Sequence, residues 1–177
     1  MYWTSLLYPL LAVPACQALP SVDKRGAATD ATLYAYGTNI SAFPVVYDAA
    51  TTALYVAQTN QTLSGSVSIT WDIPSITKAT TTSTVGTLTN GTEVGGIWID
   101  ASDDLFDAVL VQSNSTLGFA IYGRQLVYYD GTSVESEFWA KEVYQADGTT
   151  VWALHWNSNN EDRTGAVPVV LKTVASS

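Results

Sequence analysis

From Leu33 to Val174 the sequence breaks into eleven short segments that are apolar or alternate with period two, and no stretch sustains a helical period. Ser66–Trp71 ("SVSITW") is the cleanest, with Val67, Ile69 and Trp71 on one face and Ser66, Ser68 and Thr70 on the other. The others begin at Leu33, Phe43, Ala53, Gly95, Ala108, Leu117, Gln125, Phe138, Val151 and Val167. Turn signals punctuate them, notably Asn90-Gly91, Asp130-Gly131 and Asp147-Gly148, each followed by threonine. Such pairs supply the positive φ of tight hairpins. This pattern predicts an all-β domain, an antiparallel β-sandwich of roughly ten strands, with a closed β-barrel as the alternative. A four-bladed propeller would need an internal repeat, and none is visible.

The N-terminus follows a different logic. Leu6–Val13 is a short apolar run, far below the ~20 residues that span a bilayer. Cys16 and Ala18 place small side chains before a cut after Ala18, so residues 1–18 are expected to be a secretory signal peptide. Lys24-Arg25 then offers a dibasic processing site in an extended segment. Residues 19–25 read as a short propeptide and 26–177 as a single β domain.

Such processing would leave 152 of the 177 residues, enough for one core, and would remove Cys16, the only cysteine. The mature domain would then fold without a disulfide. Losing Asp23, Lys24 and Arg25 takes sixteen acidic and seven basic residues to fifteen and five, a net charge of −10. That charge disfavours nucleic acid and anionic membranes as partners, and no second apolar run is long enough for a membrane span.

Four sequons, at Asn39, Asn60, Asn90 and Asn114, fit a secreted, extracellular glycoprotein. Thr77–Thr92 holds eight threonines in sixteen residues, suited either to O-linked mannose or to a β-branched strand or loop.

The stretches "YAYGTNISAFPVVY" (Tyr34–Tyr47), "GFAIYG", "SEFWAKEV", "VWALHWN" and "PVVLKTV" resemble a family of small secreted β-rich proteins of ascomycete fungi. The resemblance covers nearly all of 26–177 and implies a fungal extracellular protein. It brings no catalytic residue with it.

Chemistry must come from the residues themselves. His155 is the only histidine, and a Ser-His-Asp triad would need it as base. The sequence lacks a G-x-S-x-G elbow, and Ser64 in "LSGSV" is a poor substitute, so His155 reads as structural. If Asp100, Asp103, Asp104 and Asp107 lay on one helical face, calcium would be the natural cation; otherwise the domain needs no cofactor.

Aromatic and acidic side chains together suggest sugar. Trp98 and Asp100 share a face of "GGIWID", and Glu135, Glu137, Trp139 and Lys141 share one if "ESEFWAK" is a single strand. Trp98, Asp100, Glu137 and Trp139 are therefore the candidate ligand-binding residues. The leading expectation is a non-enzymatic module binding cell-wall or host glycans. The alternatives are a small glycoside hydrolase, with Asp100 and Glu137 or Asp104 and Glu142 as its carboxylate pair, and a carrier of a small apolar ligand inside a barrel.

Overall fold

The computed structural model describes residues 26–58, 65–100, 106–144 and 148–173. Signal peptide, dibasic site, Ala18 and Cys16 fall outside these residues, as do Asn60, Asp103 and Asp104. Fourteen strands are present among the described residues: β1 (Ala28–Ala31), β2 (Tyr34–Gly37), β3 (Ile40–Asp48), β4 (Leu54–Val56), β5 (Ser66–Ile73), β6 (Val85–Leu88) and β7 (Glu93–Asp100). There follow β8 (Asp107–Gln112), β9 (Phe119–Tyr122), β10 (Gln125–Tyr129), β11 (Val134–Glu135), β12 (Phe138–Tyr144), β13 (Thr150–Trp156) and β14 (Ala166–Lys172). The one helical element among the described residues is a 3₁₀ turn at Ile76–Lys78.

The all-β reading holds, and the architecture is the closed barrel rather than the sandwich. Nine strands form an antiparallel ring, running β2–β3–β5–β6–β7–β8–β13–β12–β14 and back to β2. Five strands lie outside it. β1 extends the edge of β5, β4 bridges β3 and β13, and β10 attaches β9 and β11 to β14. At nine residues, β3 is long enough to pair with β2 through its first half and with β4 and β5 through its second.

Alternation fills the interior. Ile69, Trp71 and Ile73 of β5, Val109 and Val111 of β8, and Leu154 and Trp156 of β13 all point inward and are buried. The β9–β10 hairpin runs from Lys172 of β14, opposite Gln125, to Pro74, whose carbonyl accepts the Ile121 N–H at 3.0 Å. It adds Phe119, Ile121 and Leu126 to the same core. Phe119 stacks on Phe138 at 5.8 Å, and Trp156 meets both rings edge-on at 5.8 and 5.0 Å. Such contacts add to plain area burial. Among the described residues, these packed side chains line the interior of the barrel.

Turn chemistry explains the connections. Gly91, Gly131 and Gly148 have φ of +82°, +104° and +83°, as the Asn-Gly and Asp-Gly signals require. The Asp130 carboxylate accepts the backbone N–H groups of Ser133 and Thr132, both at 2.7 Å, and the Thr132 hydroxyl at 2.8 Å. Those donors, the Ser133 amide foremost, hold its pKa down at about 2.

Candidate functional site

The candidate strand residues Trp98, Asp100 and Trp139 face the outer side of the barrel. Trp98 and Asp100 share the outward face of β7, as expected. "ESEFWAK" is not one strand, because Val134–Glu135 pairs with β10 whereas β12 begins at Phe138 and pairs with β13 and β14. Glu135 therefore leaves the set. Glu137 lies just before β12, its carbonyl accepting the Asn157 N–H at 2.9 Å.

A cross-strand row connects the two groups: Asp100 faces Ala108, Ala108 faces His155, and His155 faces Trp139. Asp100 and Trp139 are thus three strand spacings apart, ~14 Å along the sheet. Glu137 precedes Trp139 by two residues, just outside β12. Glu142 points to the face of Ala140, opposite Trp139, and its proposed partner Asp104 lies outside the described residues. Of the tryptophans, Trp139 is 3 % exposed, Trp71 and Trp156 are buried, and Trp98 and Trp152 are half-buried.

A second layer of packing covers Trp139. Phe106 meets its ring edge-on at 6.5 Å and stacks on His155 at 4.2 Å with 13° between the planes. His155 Nδ1 lies 3.4 Å from the Phe106 carbonyl, and Lys141 Nζ is 5.9 Å from the Phe106 centroid. His155 is thus packed against Phe106, through both its ring and its carbonyl.

Of the aspartate cluster, Asp100 and Asp107 lie on strands and not on a helical face, and Asp103 and Asp104 are outside the described residues. Asp100 ends β7 and Asp107 begins β8, and strand alternation turns them to opposite sides of the sheet. Among the described residues, no group of three or more His, Cys, Asp or Glu side chains gathers as a metal site would require.

Partial burial, with Glu135 nearby, raises the pKa of Glu137. A raised carboxylate pKa means the folded state holds the proton more tightly. Stability is then greatest below the ordinary value and falls as pH rises through the raised one. Glu137→Gln should therefore melt higher than the parent at pH 7 and equally at pH 3, measured by scanning calorimetry. A lower melting temperature at pH 7 would contradict this account of its environment.

The concave surface lies elsewhere, around the β5–β6 connection, Pro74–Thr84. A cleft of about 410 Å³ opens between β1, the end of β5 and this connection. Ala27, Ala28, Ile73, Pro74 and Val85 form its apolar wall, and Asp72, Ser75, Lys78, Thr82 and Ser83 its polar side. Asp72 Oδ1 accepts the Asp30 N–H at 3.0 Å, fixing β1 against β5. Ser83 and Val85 are shared with a second cleft of about 380 Å³, lined by Thr84, Glu93, Gly95, Gly96, Ser113 and Ser115 among others. There the buried Thr84 hydroxyl accepts the Ile97 N–H at 2.8 Å.

None of Trp98, Asp100, Glu137 and Trp139 lines these clefts. A signal for the site was present in the sequence. "PSITKATTTST" is an eleven-residue connection between strands, well beyond hairpin length, and long connections are where binding groups concentrate.

No family model matches this chain, and neither does any curated protein or solved structure.

Proposed function

We propose that this barrel is a non-enzymatic binding protein that takes a small, apolar-bodied ligand with a polar end in the cleft between β1, β5 and the β5–β6 connection. The observation that carries this reading is the cleft itself. At about 410 Å³, its volume is within the ~300–1,000 Å³ of small-molecule sites, and its wall is mainly apolar with a few convergent polar groups. Binding is favoured over two-carboxylate hydrolysis because Asp72 is the one carboxylate lining this cleft, and it is already engaged by the Asp30 amide. Among the described residues no helix is long and apolar enough to cross a membrane.

The reading includes export and glycosylation. Asn39, Asn90 and Asn114 are all exposed in turns, where a glycan would project into solvent, and the fungal resemblance and the leader support the same address.

The test uses protein secreted from a fungal host and the neutral fluorescent probe N-phenyl-1-naphthylamine. Saturable binding is expected, weakened about tenfold or more by Ala27→Trp, which fills the cleft from an exposed position. Unchanged binding in that variant, or none in the parent, would overturn the assignment. Endoglycosidase treatment of the same sample should lower its mass by the glycans at the exposed sequons. An unchanged mass would remove glycosylation from the reading.

A further inference from the structure

A third concave site lies on the other side of the 3₁₀ turn, formed by Ile76, Thr77, Tyr122 and Tyr129, with a volume of about 190 Å³. We infer that it is a sugar-binding subsite for a single neutral pyranose of a glycan chain. It does not depend on the ligand assigned to the neighbouring cleft.

Its construction argues for a preformed site. Ala79, Ala120 and Val127 form a small buried cluster that fixes the 3₁₀ segment to the β9–β10 hairpin, with Ile76 and Tyr129 packed against it. Both walls are thereby held before any ligand arrives, so little ordering entropy opposes binding. The Tyr129 hydroxyl donates to the Gly131 carbonyl at 2.7 Å, which fixes that ring. Tyr122 closes the hairpin end beside Gly123 at φ +69°, and its side chain is 48 % exposed. An aromatic ring of this size left half in water, on a rigid hairpin and at the rim of a cleft, is a surface held ready for a partner.

The lining selects the partner's chemistry. Two phenol rings offer flat faces for the C–H side of a pyranose, and Thr77 offers a hydroxyl for one of its alcohols. No charged side chain lines the cleft, and the protein is strongly acidic, so anionic polysaccharides are repelled and neutral ones are not. The volume is below the ~300 Å³ at which sites for larger ligands begin, and it suits one ring. The glycan expectation thus survives on tyrosines, not on the tryptophans.

The experiment uses secreted protein freed of its own N-glycans and titrated by NMR with the β-1,4 trimer of N-acetylglucosamine, a β-1,3-glucose trimer and mannotriose. At least one should bind saturably, moving the amides of residues 76–77 and 120–129. Tyr122→Ala should weaken that binding about tenfold, whereas Tyr122→Phe, which keeps the flat face, should retain it. Ala27→Trp should leave it unchanged, which separates this site from the larger cleft. Absence of binding by all three sugars would overturn the inference, as would binding that survives Tyr122→Ala or is lost with Ala27→Trp.

Discussion

Replacing Gly95 with alanine is expected to leave little folded protein. Gly95 has φ of +112°, a conformation that costs an L-residue ~1–3 kcal/mol, and that term is the smaller one. A Cβ there would run into the backbone carbonyl of Gln112 and lie 2.8 Å from the Ser113 amide. These are main-chain atoms of the neighbouring strand, so no side-chain rotation relieves the clash. The β6–β7 ladder is irregular at this point, with Gly86 opposite Gly95, and Gly96 next along has its own close approach to the Thr84 carbonyl. With total stabilities of ~5–15 kcal/mol, a combined cost of several kcal/mol empties the native state or nearly so. Secretion yield and the urea midpoint are the readouts. Gly91→Ala is the control, since its φ is +82° but no atom lies within 4 Å of the added carbon. It should cost only the backbone term. If the two variants were equally stable, the close packing of β7 on β8 would have to be abandoned as the reason for glycine at 95.

Trp71→Ala is expected to cost ~3–5 kcal/mol, near the top of the range for large-to-small changes in a core. Trp71 is fully buried on β5, the strand that carries β1 on one edge and β6 on the other. Its ring passes close to Gly86, where an added Cβ would lie 3.0 Å from it, so the space is filled on that side. Trp71→Phe makes an informative pair with it. The indole Nε1 is buried with no acceptor among the described residues, and such a donor costs ~1–3 kcal/mol. Phenylalanine loses volume but also removes that donor, so it should recover most of the stability lost in the alanine variant. Denaturant unfolding measures both. Equal losses in the two variants would mean that the indole N–H has a partner after all. Because Asp72 and Ile73 line the main cleft, the alanine variant should also bind the naphthylamine probe more weakly.

The strands were largely legible because their code is local. All eleven segments with period two or continuous apolar character are strands, and Phe138–Tyr144 has the very bounds its residues suggested. The three that escaped notice lack the code: β1 reads Ala-Thr-Asp-Ala, β6 contains Gly86, and β11 is two residues long. Sandwich against barrel was not legible, because alternation fixes which face of a strand is buried but not which strand lies beside it. The ring depends on β3 pairing with both β2 and β5, and on β14 joining β12 to β2. Those are partnerships between distant segments. The burial of Trp139 was not legible for a related reason. Trp139 sits on an outward-facing strand position, where a ligand platform was expected, yet Phe106 covers it from a connection whose path strand patterning does not reveal.

The position of β14 has a consequence for how the molecule comes into being. Tyr34–Gly37 pairs with Val169–Lys172, so one seam of the ring joins segments more than 130 positions apart. Until Ala166–Lys172 has joined them, the other eight ring strands can only form an open sheet, with β2 and β12 as raw edges. Contacts of such long range form slowly, and exposed edges invite pairing with other chains. The nascent protein therefore spends its synthesis as an unclosed sheet. That interval is when the chain most depends on chaperones to keep it from its neighbours.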